Sequence, residues 1–428
     1  MKKWICLLLC ALLLTGCGPA QEEETVQAPT ISIYTPDAPV APTTEPADAE
    51  AILAQRRDVV EQHMRYMSTV RWTVDEDVSY VYASNGDTST TIELKAGRIY
   101  QGIPYTHGCG SAYSWLSYAT GQDENGVYKL SGMHNAVLNG VARNGVGNCS
   151  RVGNDCADCV YWAWAQVSNT ISFEHTNHMT PVFGCIPVGD YDWDGTIMFS
   201  STKNVLDANG QQRMFEAYAQ LQKGDAMVRI VDSGGGHAVM IVGVHVERNA
   251  EGIDGDASYV TVLEQTGGNE KKEKKYFDEE LGQDVYLCEI VDKNWSFNTI
   301  YEKGYLPITC QELIDPSPLP EPTVEDPTAE PTVDTMFEST ITSNYRIASV
   351  TVTVSDAQDR PVQQATCNSL ELEFFSFKLN RFLSDAQQDL LVGEIDLSVL
   401  GPGTYTCTFD CRLSTGKVIR FRDFSFTV

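Results

Sequence analysis

Basic residues are scarce in this chain: 30 Lys and Arg stand against 58 Asp and Glu, a formal net charge of -28. A surface that negative repels a phosphate backbone, which excludes nucleic acid as a partner, and it is repelled in the same way by anionic lipid. Long apolar runs are scarce too. Beyond Leu14 no stretch is long and uncharged enough to span a hydrocarbon core of about 30 Å. No second CxxC accompanies Cys156 and Cys159, so a four-cysteine zinc site is not available from that spacing. No cofactor is expected.

What is present is enough to fold. With 428 residues, 42% of them hydrophobic, the chain has material for two or three domains at about 150 residues each. Lys2 and Lys3 precede an uncharged run from Trp4 to Leu14, too short for a membrane span but suited to a secretory signal, so residues 1–16 are expected to be removed on export. The run ends in Leu14, Thr15, Gly16 and Cys17, which resembles the bacterial lipobox. That resemblance implies lipidation of the Cys17 thiol and anchoring through acyl chains, since charge cannot supply the membrane contact.

Residues 17–50 carry Pro, Thr and acids with no Lys or Arg, and residues 312–338 repeat the pattern in DPSPLPEPTVEDPTAEPTVD. Both read as solvated, extended tethers. They delimit a central region, residues 51–311, and a C-terminal region, residues 339–428. The central region opens with Val59, Val60, His63, Met64, Met67 and Val70 at helical spacing, then mixes helical and strand-like segments. The C-terminal region alternates with period two, in Val350, Val352 and Val354 and in Tyr405, Cys407, Phe409 and Cys411. The overall class is α+β, with a C-terminal immunoglobulin-like β-sandwich. On a flexible linker such a module is expected to hold a surface ligand and place the rest of the protein, contributing nothing to bond cleavage.

Of the thirteen cysteines, ten lie beyond Cys17: seven in the central region and three in the C-terminal one, so pairing within each region leaves a thiol over. Cys407 and Cys411 cannot pair with each other along one strand, where four residues span roughly 13 Å. Cys156 is the thiol with a chemical setting. The segment GNDCADCVYWAWAQVS starts a helix at Gly153, Asn154 and Asp155 and places Cys159, Val160, Ala163 and Val167 on one face. Cys156 then falls in the first turn, where free amides and the helix dipole favour a thiolate. In LQKGDAMVRIVDSGGGHAVMIVGVHVE a turn at Lys223 to Asp225 leads to a strand, a Gly234 to Gly236 break and a second strand led by His237, placed as a general base. The following strand, YVTVLEQTGG, ends in Glu264, a carboxylate able to orient the imidazole.

Here a resemblance becomes specific. NDCADCV resembles the DCSGLV-type nucleophile motif of the NlpC and CHAP group of papain-like cell-wall hydrolases, LQKGDAMV their turn and strand before the histidine, HAVMIVGV their histidine strand, and EQT the acidic position of CHAP domains. Ala157 and Asp158 stand where Ser and Gly are usual, and the stretch before the histidine strand is long. The resemblance implies a papain-like catalytic domain with Cys156 as nucleophile, His237 as base and Glu264 as third residue. It also implies a peptidoglycan or peptide substrate.

Two further constellations are weaker. Tyr105 and His107, in GRIYQGIPYTHGCGSAYSWL, are placed to line a cleft or simply to pack a loop. Asp190, Asp192, Asp194 and Gly195 match the opening of an EF-hand calcium loop, but Ser201 stands where the bidentate Glu belongs. Competing functions are a catalytically silent binding lipoprotein and a transglutaminase-type acyl transferase; the latter is opposed by the lack of an Asp motif after His237.

Overall fold

The structure is a computed structural model that describes residues 48–84, 88–105, 116, 119–131, 153–173, 175–193, 201–232, 235–266, 273–368, 375–383 and 391–428. The signal and lipobox residues, Cys17, nearly all of the first Pro-rich segment, His107, Cys109, Cys149, Asp194, Gly195 and Gly234 lie outside these. The chain is mixed α+β. No described helix is long and apolar enough to cross a membrane.

Helix α1, Ala49–Thr69, begins at Asp48, whose carboxylate accepts from the Ala51 amide at 2.7 Å. The expected stripe of Val60, His63, Met64 and Met67 is buried. Burial drives the His63 pKa down to about 3, so this imidazole stays neutral. Arg56 and Arg57 are buried as well, which hydrophobic spacing does not foretell.

The helix packs beside a six-stranded antiparallel sheet whose strands are labelled in chain order: β1 Cys185–Pro187, β2 Ala226–Ile230, β3 Gly236–His245, β4 Tyr259–Gln265, β5 Glu289–Ser296 and β6 Leu306–Cys310. Their spatial order is β5-β4-β3-β2-β6-β1. Helix α2, Cys156–Trp164, lies against this sheet with every residue buried, as its all-round apolar sequence requires. Helices α3, Thr202–Asn209, α4, Gln211–Tyr218, and α5, Phe297–Lys303, complete the helical part.

A second, mixed sheet is centred on Arg71–Val74, which pairs antiparallel with Ile99–Gln101 and parallel with Tyr128–Leu130. Trp72 stacks on Tyr100 at 4.6 Å across that pairing. The start of the Gly- and Tyr-rich segment is therefore sheet interior, which favours packing over cleft lining for those residues.

The C-terminal region has its own core, drawn from a five-stranded sheet and a three-stranded one. In the larger sheet β7, Ile347–Ser355, is flanked by β8, Pro361–Asn368, and β10, Thr404–Leu413, with β9, Leu391–Val392, and β11, Val418–Thr427, outside them. Val350, Val352, Val354, Cys407, Phe409 and Cys411 all point into the core, as the alternation demands.

The segment 312–338 is not the free tether its composition predicts. Arg56 donates to the carbonyls of Glu312 at 2.9 Å, Asp315 at 2.6 Å and Ser317, and Arg57 to that of Leu313 at 3.0 Å. Further on, Tyr345 donates to the Pro320 carbonyl, Val324–Glu325 pairs with Thr340–Ser343, and half-buried Asp326 forms an ion pair with buried Arg422 at 2.7 Å. Proline removes ladder donors but leaves carbonyls, and guanidinium and hydroxyl groups elsewhere in the chain satisfy these.

The C-terminal region also touches α2. Ser414 donates its hydroxyl to the Ala165 carbonyl at 2.7 Å, Gln166 donates to the Ser414 carbonyl, and the Arg346 guanidinium lies 4.8 Å from the Tyr161 ring and 5.0 Å from that of Trp162. With its own core, this region also meets the far end of the helix that begins with Cys156.

Candidate active site

Asp155 is the N-cap of α2, and its carboxylate accepts from the amides of Ala157 at 2.8 Å and Asp158 at 3.0 Å. It thereby takes the second and third amides of the turn and leaves that of Cys156 with no acceptor among the described residues. Asn154, fully buried, locks this end in place. Its side-chain oxygen accepts from Gln265 at 2.9 Å, Gln265 also donates to the Ile103 carbonyl at 2.6 Å, and the Asn154 amide donates to the Pro104 carbonyl at 3.3 Å. Tyr105 is buried beside Asn154 in an isolated parallel bridge, a packing position. At the other end the Trp164 indole donates to the Gly224 carbonyl at 2.7 Å, tying α2 to the turn that feeds β2. Gly224 takes φ +85°, which its lack of a Cβ permits. Asp225, next in that turn, is buried against Arg57 at 2.8 Å.

The β2–β3 hairpin sets His237 directly opposite Arg229, and Gly236 opposite Ile230. A Cβ on Gly236 would lie 2.2 Å from the Thr176 hydroxyl and 2.4 Å from the Arg229 carbonyl, so the glycine before the histidine admits the protein's own chain. On the far side of β3, Leu263 of β4 faces Met240. Glu264, the next residue along, reaches His237 diagonally, and its Oε1 lies 2.9 Å from Nε2. The side chains of His237 and Glu264 are 19% and 11% exposed, so the pair sits at an opening without being open to bulk water.

With Nε2 turned to Glu264, Nδ1 is left for Cys156. Burial is the largest single influence on the imidazole and opposes its charge; contact with Cys156 and then with Glu264 outweighs it, and the pKa rises to about 10. The imidazole therefore stands beside a thiol at a helix start. Other buried thiols are set in apolar surroundings. Burial pushes those of Cys185 and Cys310 up, and Cys159 is fully buried one turn into α2. All eight described cysteines are free thiols.

Cys156, His237 and Glu264 thus come together in space. Two residues that sequence reading missed adjoin them. Tyr305, the residue just before β6, is 2% exposed, with its ring 6.5 Å from that of His237. Burial first, and then the Glu264 charge, push its hydroxyl pKa up, while Arg229 beside it acts the other way. Arg229 left a trace in the sequence, a charge inside the apolar run AMVRIV. Tyr305 left none, since its place depends on the pairing of distant strands.

The acidic loop behaves differently. Asp190 and Asp192 are exposed and both engage Arg213, at 3.2 and 2.8 Å, so a guanidinium occupies the position a cation would need. Ser201 caps α3 by accepting from the Lys203 amide at 3.2 Å. Among the described residues no three His, Cys, Asp or Glu side chains converge as a metal site would require. Against known proteins, the chain matches no family model and no curated protein matches it significantly.

Proposed function

We propose that this chain is a lipid-anchored, extracytoplasmic cysteine hydrolase of papain-like type, with an immunoglobulin-like C-terminal sandwich, cleaving an amide or peptide bond in peptidoglycan. The observation that carries the reading is the placement of His237 between Cys156, at the start of a buried helix, and Glu264. In this mechanism the Cys156 Sγ attacks the carbonyl and the Cys156 amide receives the developing oxyanion. His237 gives its proton to the leaving amine, then takes one from water as the thioester is hydrolysed. Glu264 holds the ring throughout and supports its positive charge whenever it is protonated.

The choice of peptidoglycan rests on the motif resemblance, and the anchor on the LTGC sequence ending at Cys17. Mass analysis of muropeptides incubated with the full chain tests the first: new amine and carboxylate termini are expected with the wild type and none with Cys156→Ala. Cross-linked products with no net hydrolysis would favour an acyl transferase. Labelling with an alkyne fatty acid tests the second; the wild type should carry the tag and Cys17→Ser should not.

A further inference from the structure

Resting on that hydrolase reading, we infer that Arg229 is a specificity residue that binds a carboxylate of the substrate close to the scissile carbonyl, so that the preferred substrate is an acidic peptide or acyl chain. Arg229 and His237 are directly opposed on adjacent antiparallel strands, so their side chains leave the same face of the sheet roughly 5 Å apart at the Cβ atoms. Leu306 is opposed to Val228, and one step along this pairing brings Tyr305 beside Arg229. Tyr305, Arg229 and His237 therefore form a row across β6, β2 and β3, with Glu264 at its end and the Cys156 thiol over it.

Most described arginines in this acidic chain reach a carboxylate, as Arg57 does Asp225, Arg71 Asp278 and Arg422 Asp326. Others donate to carbonyls or lie on aromatic rings, as Arg56 and Arg346 do. Arg229, half-buried opposite His237, lies near the Tyr305 hydroxyl and forms no ion pair with a carboxylate among the described residues. Its planar fork of donors is thus uncommitted, and the geometry suits a carboxylate better than any neutral group. An enzyme of net charge -28 repels anionic substrates at long range, so taking one requires a local cation of this kind.

Alkylation of Cys156 tests this without knowledge of the natural substrate. Iodoacetate and iodoacetamide differ in one carboxylate against one carboxamide, and both transfer a carbon to sulfur with loss of iodide. Their rates at Cys156 in the full chain, read by peptide mass, are compared with those for glutathione. The iodoacetate-to-iodoacetamide ratio should exceed the glutathione ratio in the wild type, fall about tenfold in Arg229→Gln and be largely kept in Arg229→Lys. Peptide substrates differing only in Glu or Gln beside the cleaved bond should show the same pattern in KM. A ratio unchanged in Arg229→Gln, with Cys156 still far more reactive than Cys185 or Cys310, overturns the carboxylate assignment and leaves the hydrolase reading intact. If Cys156 reacts no faster than those buried thiols with either reagent, both fall.

Discussion

The sheet beneath the thiol and the larger C-terminal sheet are both antiparallel and both back onto a buried apolar layer, yet they use the polar side chains within them differently. In the C-terminal sheet Val350, Val352 and Val354 alternate inward along β7 and Thr351 meets Thr366 at 2.9 Å, while a polar residue buried in the same sheet, Arg422, is committed to Asp326. Cys407 and Cys411 there are packing atoms whose thiols burial pushes up to about 12. In the central sheet the pattern breaks at one end, where Arg229, His237 and Glu264 lie on three adjacent strands and Tyr305 just before a fourth. The same residue type, cysteine, is inert in one sheet and poised at the other because only one has an imidazole beside it. Chemistry enters a sheet where a polar row interrupts the buried face at a strand end and a helix start is brought over it.

The sharpest way to break that contrast is to exchange the partners of the two kinds of thiol. His237→Ala should lower kcat/KM by about 10² to 10⁴-fold, the usual cost of a lost general base, whereas Cys411→Ala should leave kcat/KM unchanged and lower the melting temperature. Equal losses of activity in the two would erase the distinction. Next in size is removal of residues 339–428. It strips Ser414 and Arg346 from α2, so the remainder should lose about 3 kcal/mol or more of stability, and turnover of small fragments should fall with it. A truncated protein with unaltered melting temperature and turnover would restore the independent module read from the sequence.

The electrostatic half of the comparison is tested by pH. The His237 pKa is raised from 6.5 to about 10, so the stabilisation from its charged contacts is complete below about pH 6.5 and is lost as pH rises toward 10. In Glu264→Gln one of the two anionic neighbours is gone, and the alkaline limb of kcat/KM should move to lower pH by about one unit or more. An unmoved limb would mean that Glu264 holds the ring by geometry alone. The smallest effect concerns the helix start: Asp155→Ala removes the cap and should cost about 1 kcal/mol, measured by denaturant unfolding, while Asp155→Asn should retain most of it.

What the sequence discloses follows from where the interactions lie along the chain. Asp155, Cys156 and the apolar α2 are local, and helix-start chemistry exposes them. His237 and Glu264 stand at the beginning and end of strands whose hydrophobic runs are obvious. Arg229 and Tyr305 become meaningful only through cross-strand register, which no local pattern specifies. The segment 312–338 was misread for a related reason. Its own composition favours solvation, but the donors that hold it are Arg56 and Arg57, some 256 residues away on α1 and indistinguishable there from ordinary surface arginines.

Those two arginines also govern how the chain would come apart. A free stretch of Pro, Glu and Thr is an easy target for endoproteases, which need several residues to leave their contacts and enter a cleft. Here the backbone is clipped at Glu312, Leu313, Asp315 and Ser317 and paired again at Val324, so cutting must await local opening. Once cut, the halves would still be joined through Ser414 and Arg346 on α2. The product of limited digestion is then a nicked protein whose two chains migrate as one until denatured.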